Sequence, residues 1–265
     1  MSETHHFTTG DGCRIAYRID GPEDGPVLAL SNSIATSLHM WDRSVPELGR
    51  SFRLLRYDLR GHGASDAPMG AYSLDRLGRD VVELLDFLDI RRAHFLGLSL
   101  GGFVGQWLGI HAPDRIERLI LSNTASWLAS ELPFDEQIRT VLAATDMKAI
   151  ADGFMRNWFP AAMLAAPNPI VDEFRAMVLT TPPHGLAGCY AALRDVDLRR
   201  TIALITAPTL VIGGEDDTVT RASHSKAIAA TIPKAELVLL PGVHILNVEQ
   251  PDRFVGAVTS FLRSA

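Results

Sequence analysis

His94-Phe95-Leu96-Gly97-Leu98-Ser99-Leu100-Gly101-Gly102 joins two patterns of different period. The apolar run over 93–98 has the length of a buried strand, and helical spacing follows over 100–112. A G-x-S-x-G sequence at such a strand-to-helix turn lifts its serine above the sheet edge, in a backbone so tight that the near neighbours must be glycine. Standing at a helix head, Ser99 has unpaired N–H groups and a positive dipole end beside it, which is what a developing oxyanion requires. The motif alone is a weak signal, common in glycine-rich turns. In this context Ser99 reads as a nucleophile.

Outward from the elbow, short Val/Ile/Leu-rich runs at 14–19, 27–30, 52–57, 93–98, 116–122, 209–213 and 236–240 alternate with helical stretches. That alternation predicts an α/β fold with a mostly parallel sheet covered on both faces. Leu74, Leu77, Val81, Leu84, Leu85 and Leu88 recur at spacings of three and four behind Ser73, which predicts a helix over 72–88 with a serine cap. The rhythm fails between 126 and 202, where Trp127, Phe134, Phe154, Trp158, Phe159, Met163 and Met177 lie among proline-containing helical stretches. The expectation is a core of residues 1–125 and 203–265 carrying a helical cap insertion, 126–202, over the sheet's C-terminal edge. Open α/β sheets bind their ligands at that edge.

A serine hydroxyl attacks only when a base removes its proton and a third group orients the base, so an acid and a histidine are required in the order Ser, Asp, His. Gly214-Glu215-Asp216-Asp217-Thr218 follows the 209–213 strand, and Leu240-Pro241-Gly242-Val243-His244 follows the last one. Of the 9 histidines, His244 alone combines that chain order with a strand-end position. His39, His62, His94, His111, His184 and His224 are expected to be structural or superficial, and His5 and His6 peripheral. Asp217 is preferred to Asp216 because it closes a G-x-x-D pattern begun at Gly214. The plain alternative for these acids is a solvated turn capping the next helix. The chemistry implied is acyl transfer, with the oxyanion held by the backbone N–H groups of Leu100 and of Ser33 in the loop after the 27–30 strand. It needs no metal and no organic cofactor.

Composition narrows the partners. With 265 residues, 47% hydrophobic and 21% charged, the chain is neither disordered nor a disulfide scaffold. Its net charge of -6 is spread along the sequence, so neither nucleic acid nor an anionic membrane is expected as a partner. Cys13 and Cys189 form no metal-ligand spacing. The first residues lack a leader pattern and no run approaches 18 apolar residues, so a cytoplasmic protein acting on a small molecule is expected.

These motifs together resemble the α/β-hydrolase superfamily over nearly the whole chain, which implies an eight-stranded sheet. Within it the chain is most similar to the 3-oxoadipate enol-lactonases of the β-ketoadipate pathway of aromatic catabolism. The resemblance is carried by 30–41 (LSNSIATSLHMW), 52–66 (FRLLRYDLRGHGASD), 97–102, 116–125 (IERLILSNTA), 156–159 (RNWF) and 244–254 (HILNVEQPDRF). Arg60-Gly61-His62-Gly63 with Ser65 is shared widely and identifies a turn beside the oxyanion loop rather than a substrate. Ser31-Asn32 stands where most relatives have His-Gly, and Ser-Asn-Ser in that loop is the subgroup's feature. The resemblance implies Ser99, Asp217 and His244 as triad and Ser33 and Leu100 as oxyanion donors. Two departures are present: Ile34-Ala35 replaces the subgroup's common Leu-Gly, and Thr218 replaces the proline that often follows the acid.

The implied substrate is a small enol-lactone with a free carboxylate, whose opened enol becomes a ketone. That carboxylate calls for a cationic or hydrogen-bonding partner, for which the cap offers Arg139, Arg156 and Arg194, while Trp158 and Ile34 are expected pocket walls. The same catalytic unit also serves other carboxylesterases, carbon–carbon bond hydrolases, perhydrolases and slow-turnover small-molecule receptors.

Overall fold

Eight strands form one sheet in the computed structural model, which describes residues 3–264. They are β1 (His5–Thr8), β2 (Arg14–Asp20), β3 (Val27–Ser31), β4 (Arg53–Tyr57), β5 (Ala93–Leu98), β6 (Ile116–Ser122), β7 (Thr209–Gly214) and β8 (Glu236–Leu240). Their order is β1-β2-β4-β3-β5-β6-β7-β8. The β1–β2 and β2–β4 pairs are antiparallel and every other pair is parallel. All residues of β5 and β7 are buried, which explains why apart from His94 and Thr209 they are apolar or glycine: a central parallel strand has no solvent face to mark with polar residues.

Each of the seven strands expected from sequence is present, with ends that differ by no more than one residue. The strand that sequence reading missed is β1. Only Phe7 in it is buried, so four residues of HHFT carry no period to read. It pairs in register with β2, from His5 opposite Tyr17 to Thr8 opposite Arg14.

The helices are α1 (Val45–Leu48), α2 (Leu74–Phe87), α3 (Leu100–His111), α4 (Phe134–Ala143), α5 (Lys148–Trp158), α6 (Ala161–Leu164), α7 (Pro169–Thr180), α8 (Pro183–Asp195), α9 (Ala222–Thr231), α10 (Leu246–Glu249) and α11 (Pro251–Arg263). Ser73 caps α2 as expected, its side chain accepting the Arg76 N–H at 3.1 Å, and Leu74, Leu77, Val81, Leu84 and Leu85 form the buried stripe. Helix α3 packs on β3, β5 and β6, and α9 packs on β7 and β8. Between β6 and β7 the chain is helical, α4 against α8 and α5 against α7. Its entry and exit are tied where the Leu198 N–H donates to the Ser126 carbonyl at 2.8 Å. No helix among the described residues is long and apolar enough to cross a membrane.

The turn after β4 is fixed by a buried guanidinium. Arg60, 3% exposed, donates to Asp80 of α2 at 2.6 and 2.7 Å and to Asp11 of the β1–β2 hairpin at 2.9 and 3.1 Å. Burial pushes the Asp80 carboxyl up despite the arginine, so removal of the cation leaves an acid that is costly to keep ionised. Arg60→Leu should therefore lower unfolding stability by about 3–5 kcal/mol. The lower figure is favoured because Arg76 also reaches Asp80, at 3.1 Å. Urea denaturation at pH 7 measures it, and an unchanged midpoint would refute the account.

Candidate active site

Five parallel strands end at the same edge of the sheet, and each delivers one polar residue just beyond its end: Ser33 after β3, Ser99 after β5, Asn123 after β6, Asp217 after β7 and His244 after β8. The convergence follows from parallel strands alone, since their C-terminal ends share one edge.

Ser99 caps α3 at φ 57°, ψ -115°, outside the regions that side-chain-bearing residues ordinarily occupy. The carbonyl of Ser99 accepts from Gly102 N–H at 2.8 Å and from Thr124 Oγ1 at 2.8 Å, and its N–H donates to the Ser122 carbonyl at 2.9 Å. The flanking glycines are steric requirements. A Cβ on Gly97 would lie 2.0 Å from the Gly101 carbonyl oxygen, and one on Gly101 would lie 2.3 Å from that of Ser31. Leu100, at the first position of α3, has no acceptor for its N–H inside the helix.

His244 is fully buried, and Asp217 is 4% exposed. The Nδ1–H of His244 donates to Asp217 Oδ2 at 2.8 Å, because an ionised carboxylate only accepts, and this leaves the lone pair on Nε2. That Nε2 is buried and without a hydrogen-bond partner. Asp217 accepts four further bonds: Val219 N–H at 2.8 Å, Thr220 N–H at 3.0 Å, Thr220 Oγ1 at 2.9 Å and Asn123 Nδ2 at 2.9 Å. Burial pushes its carboxyl up, but the His244 ring, the Asn123 amide and the Thr220 N–H outweigh burial and hold it below the ordinary range. Asp216 is exposed, and its N–H donates to the Gly242 carbonyl at 3.0 Å. Of the two neighbouring acids, the structure brings Asp217 to the histidine.

The loop after β3 is bound at several points. Gly101 N–H donates to the Asn32 carbonyl at 3.0 Å, which ties the loop to the elbow. Asn32 also donates from Nδ2 to the Tyr57 carbonyl at 2.8 Å and accepts from Trp41 Nε1 at 2.9 Å. Ser33 N–H is not free: it donates to Met40 Sδ at 3.2 Å, a weak acceptor. Ala35 sits at φ 58°, a region where glycine is comfortable and alanine is not, and its N–H donates to His62 Nε2 at 2.8 Å. His62 Nδ1–H turns to the Arg60 carbonyl at 3.2 Å, and burial lowers the ring to about 4, so it stays neutral and keeps Nε2 as an acceptor. The Ala35 conformation is thus held by the shared RGHG turn.

Sequence reasoning missed Asn123 and Thr220 as working parts of this arrangement, whereas His62 has the structural place in the RGHG turn that was expected of it. Asn123 follows a strand as an ordinary turn residue does. The usable signal was its place at a parallel strand end, the criterion that found His244. Its Nδ2 bridges Asp217 Oδ2 and the Val243 carbonyl, each at 2.9 Å, and so joins acid and histidine loops.

Trp158, an expected pocket wall, is 1% exposed and packs its ring between Phe154 and Phe174. It meets the site through its carbonyl, which accepts the His244 N–H at 3.3 Å. Ile34 is buried in the core. Arg139 and Arg156 are exposed, and Arg194 is occupied by Asp135 and Asp195. Both cysteines are buried and free, and burial pushes the Cys13 thiol to about 11 and Cys189 higher still. Among the described residues no three or more His, Cys, Asp or Glu side chains are grouped to hold a metal ion.

A family model for the alpha/beta hydrolase fold matches residues 26–251, and the chain belongs to that family of hydrolases. It is similar to 3-oxoadipate enol-lactonase 2 of Acinetobacter baylyi, with 34% identity across 96% of this chain and 95% of the relative. An enol-lactonase structure from Burkholderia xenovorans LB400 matches with a TM-score of 0.93 and 36% identity, over 98% of this chain and 100% of the other. A hydrolase structure from Pseudomonas aeruginosa PA01 matches with a TM-score of 0.97 and 59% identity, over 99% of both chains.

Asn123→Ala removes one charge-assisted hydrogen bond from Asp217 and is expected to cost about 1.5–3 kcal/mol at pH 7. The Asp217 contribution is complete above the ordinary carboxyl value of 3.8 and disappears as pH falls through its lowered folded value. The deficit between variant and native protein should shrink at pH 3, and urea denaturation at the two pH values tests this. A deficit of equal size at both would remove the electrostatic explanation.

Proposed function

We propose that this protein hydrolyses a small, carboxylate-bearing enol-lactone, with 3-oxoadipate enol-lactone as the substrate and 3-oxoadipate as the product. The observation that carries the mechanism is a buried histidine whose Nδ1 is committed to Asp217 while Nε2 has no partner, at the edge where Ser99 is held at positive φ. The Ser-Asn-Ser loop and the two enol-lactonases at 34% and 36% identity support the substrate class.

In this reading His244 Nε2 takes the Ser99 proton as Oγ attacks the lactone carbonyl. Leu100 N–H holds the tetrahedral oxyanion together with Ser33 N–H, which exchanges the weak Met40 sulfur for a charged oxygen. The ring C–O bond breaks, the enol oxygen leaves with the proton returned by His244, and the enol becomes a ketone. Water, deprotonated by the same nitrogen, attacks the acyl-enzyme and frees the second carboxylate. Asp217 keeps the ring in the tautomer with the lone pair on Nε2 and stabilises the imidazolium. We read residues 126–202 as the cap over this edge. The substrate carboxylate then falls to neutral hydrogen-bond donors or to an arginine that turns inward from the surface, since none of Arg139, Arg156 and Arg194 is buried.

Purified protein should accelerate the loss of enol-lactone absorbance, and Ser99→Ala or His244→Ala should each lower turnover by about 10⁶-fold. Full activity in Ser99→Ala would exclude the mechanism. Turnover of p-nitrophenyl acetate or a simple carbamate far above that of the lactone would keep the mechanism and replace the substrate.

A further inference from the structure

Three buried polar atoms near this edge lack a hydrogen-bond partner: His244 Nε2, Ser33 Oγ and Asn247 Oδ1. The first is the lone pair the proposed mechanism uses. Asn247 has an evident structural task, since its Nδ2 donates to the Met40 carbonyl at 2.8 Å and so ties the histidine loop to the residue whose sulfur holds Ser33 N–H. Ser33 Oγ has no such task.

Ser33 is fully buried, and its hydroxyl has no protein group to bond. A hydroxyl sealed in that state destabilises a fold, and alanine would occupy the same space without the penalty. The residue is also well anchored. Its carbonyl accepts from Thr36 N–H at 3.3 Å and Thr36 Oγ1 at 2.7 Å, and its N–H is on Met40 Sδ. The preceding residue accepts from Gly101 N–H, which fixes the loop two residues from the nucleophile. Ser44 and Ser225 also have unpartnered buried hydroxyls, but one precedes α1 and the other lies within α9 against Gly213, neither in the loop bonded to Gly101.

We infer that the Ser33 hydroxyl is a third oxyanion donor, bonding the substrate carbonyl oxygen as it gains charge, beside the N–H of the same residue. This rests on the reading of Ser99 as nucleophile. The N–H and Oγ–H of one serine reach a single acceptor without strain, and neither is held by a strong acceptor here: the N–H rests on a thioether sulfur and the hydroxyl bonds no protein group.

Ser33→Ala separates catalysis from structure because the two are expected to move in opposite directions. The thermal midpoint should stay level or rise, while kcat for the lactone falls by about 10²-fold with KM changed little. Labelling of Ser99 by a serine-reactive phosphonate, whose tetrahedral P–O group mimics the oxyanion, should slow in proportion. Ser33→Thr keeps a hydroxyl on Cβ and should recover most of the kcat lost in Ser33→Ala. Unchanged kcat and labelling rate in Ser33→Ala would overturn the inference. So would a lowered midpoint with a smaller fraction of titratable sites and normal turnover per site, the signature of a structural hydroxyl. Failure of the phosphonate to label the native protein would instead remove the nucleophile reading, and this inference with it.

Discussion

The backbone of Ser99 is the constraint around which the rest of the sheet edge is arranged. A residue at φ 57°, ψ -115° is held there only if its surroundings leave no alternative, and here β5, α3, the Ser122 carbonyl, Thr124 and Gly102 do so together. The two backbone approaches that accompany it, Gly97 to Gly101 and Gly101 to Ser31, leave no room for a side chain. Through the second of these the elbow also fixes the β3 loop, because Gly101 N–H bonds the Asn32 carbonyl. A single strained turn therefore sets the distance between the helix that follows Ser99 and the loop that faces it.

The parts legible in the sequence were those with a period or a steric necessity. Central strands appear as largely apolar runs because both faces are covered, and the α2 stripe appears because one face is not. Glycines at 97 and 101 could be read because the turn forbids anything else. Chain order and strand ends were enough to single out His244 among nine histidines, and the G-x-x-D spacing to prefer Asp217 to its exposed neighbour. Strand β1 stayed hidden because its hold on the sheet is backbone pairing plus one phenylalanine. Asn123 stayed hidden for a different reason: its role is to bridge a carboxylate and a carbonyl contributed by two remote loops, and no local spacing encodes such a meeting.

Neutral and ionised groups divide the work in this region. Asp217, wrapped in five donors, is held ionised in a buried position, whereas His62 is held neutral because Ala35 needs an acceptor and burial disfavours the cation. Alanine at φ 58° at position 35 places a conformational burden on that imidazole, which accepts its N–H.

The bond from His244 N–H to the Trp158 carbonyl has an architectural consequence. It runs from the imidazole's own peptide to the C-terminal end of α5, in the segment joining β6 to β7, so the orientation of His244 is partly fixed from outside the sheet. A chimera that exchanged those helices for a relative's would also replace one of the splints that set the His244 peptide, and so would alter the histidine loop as well as the helices.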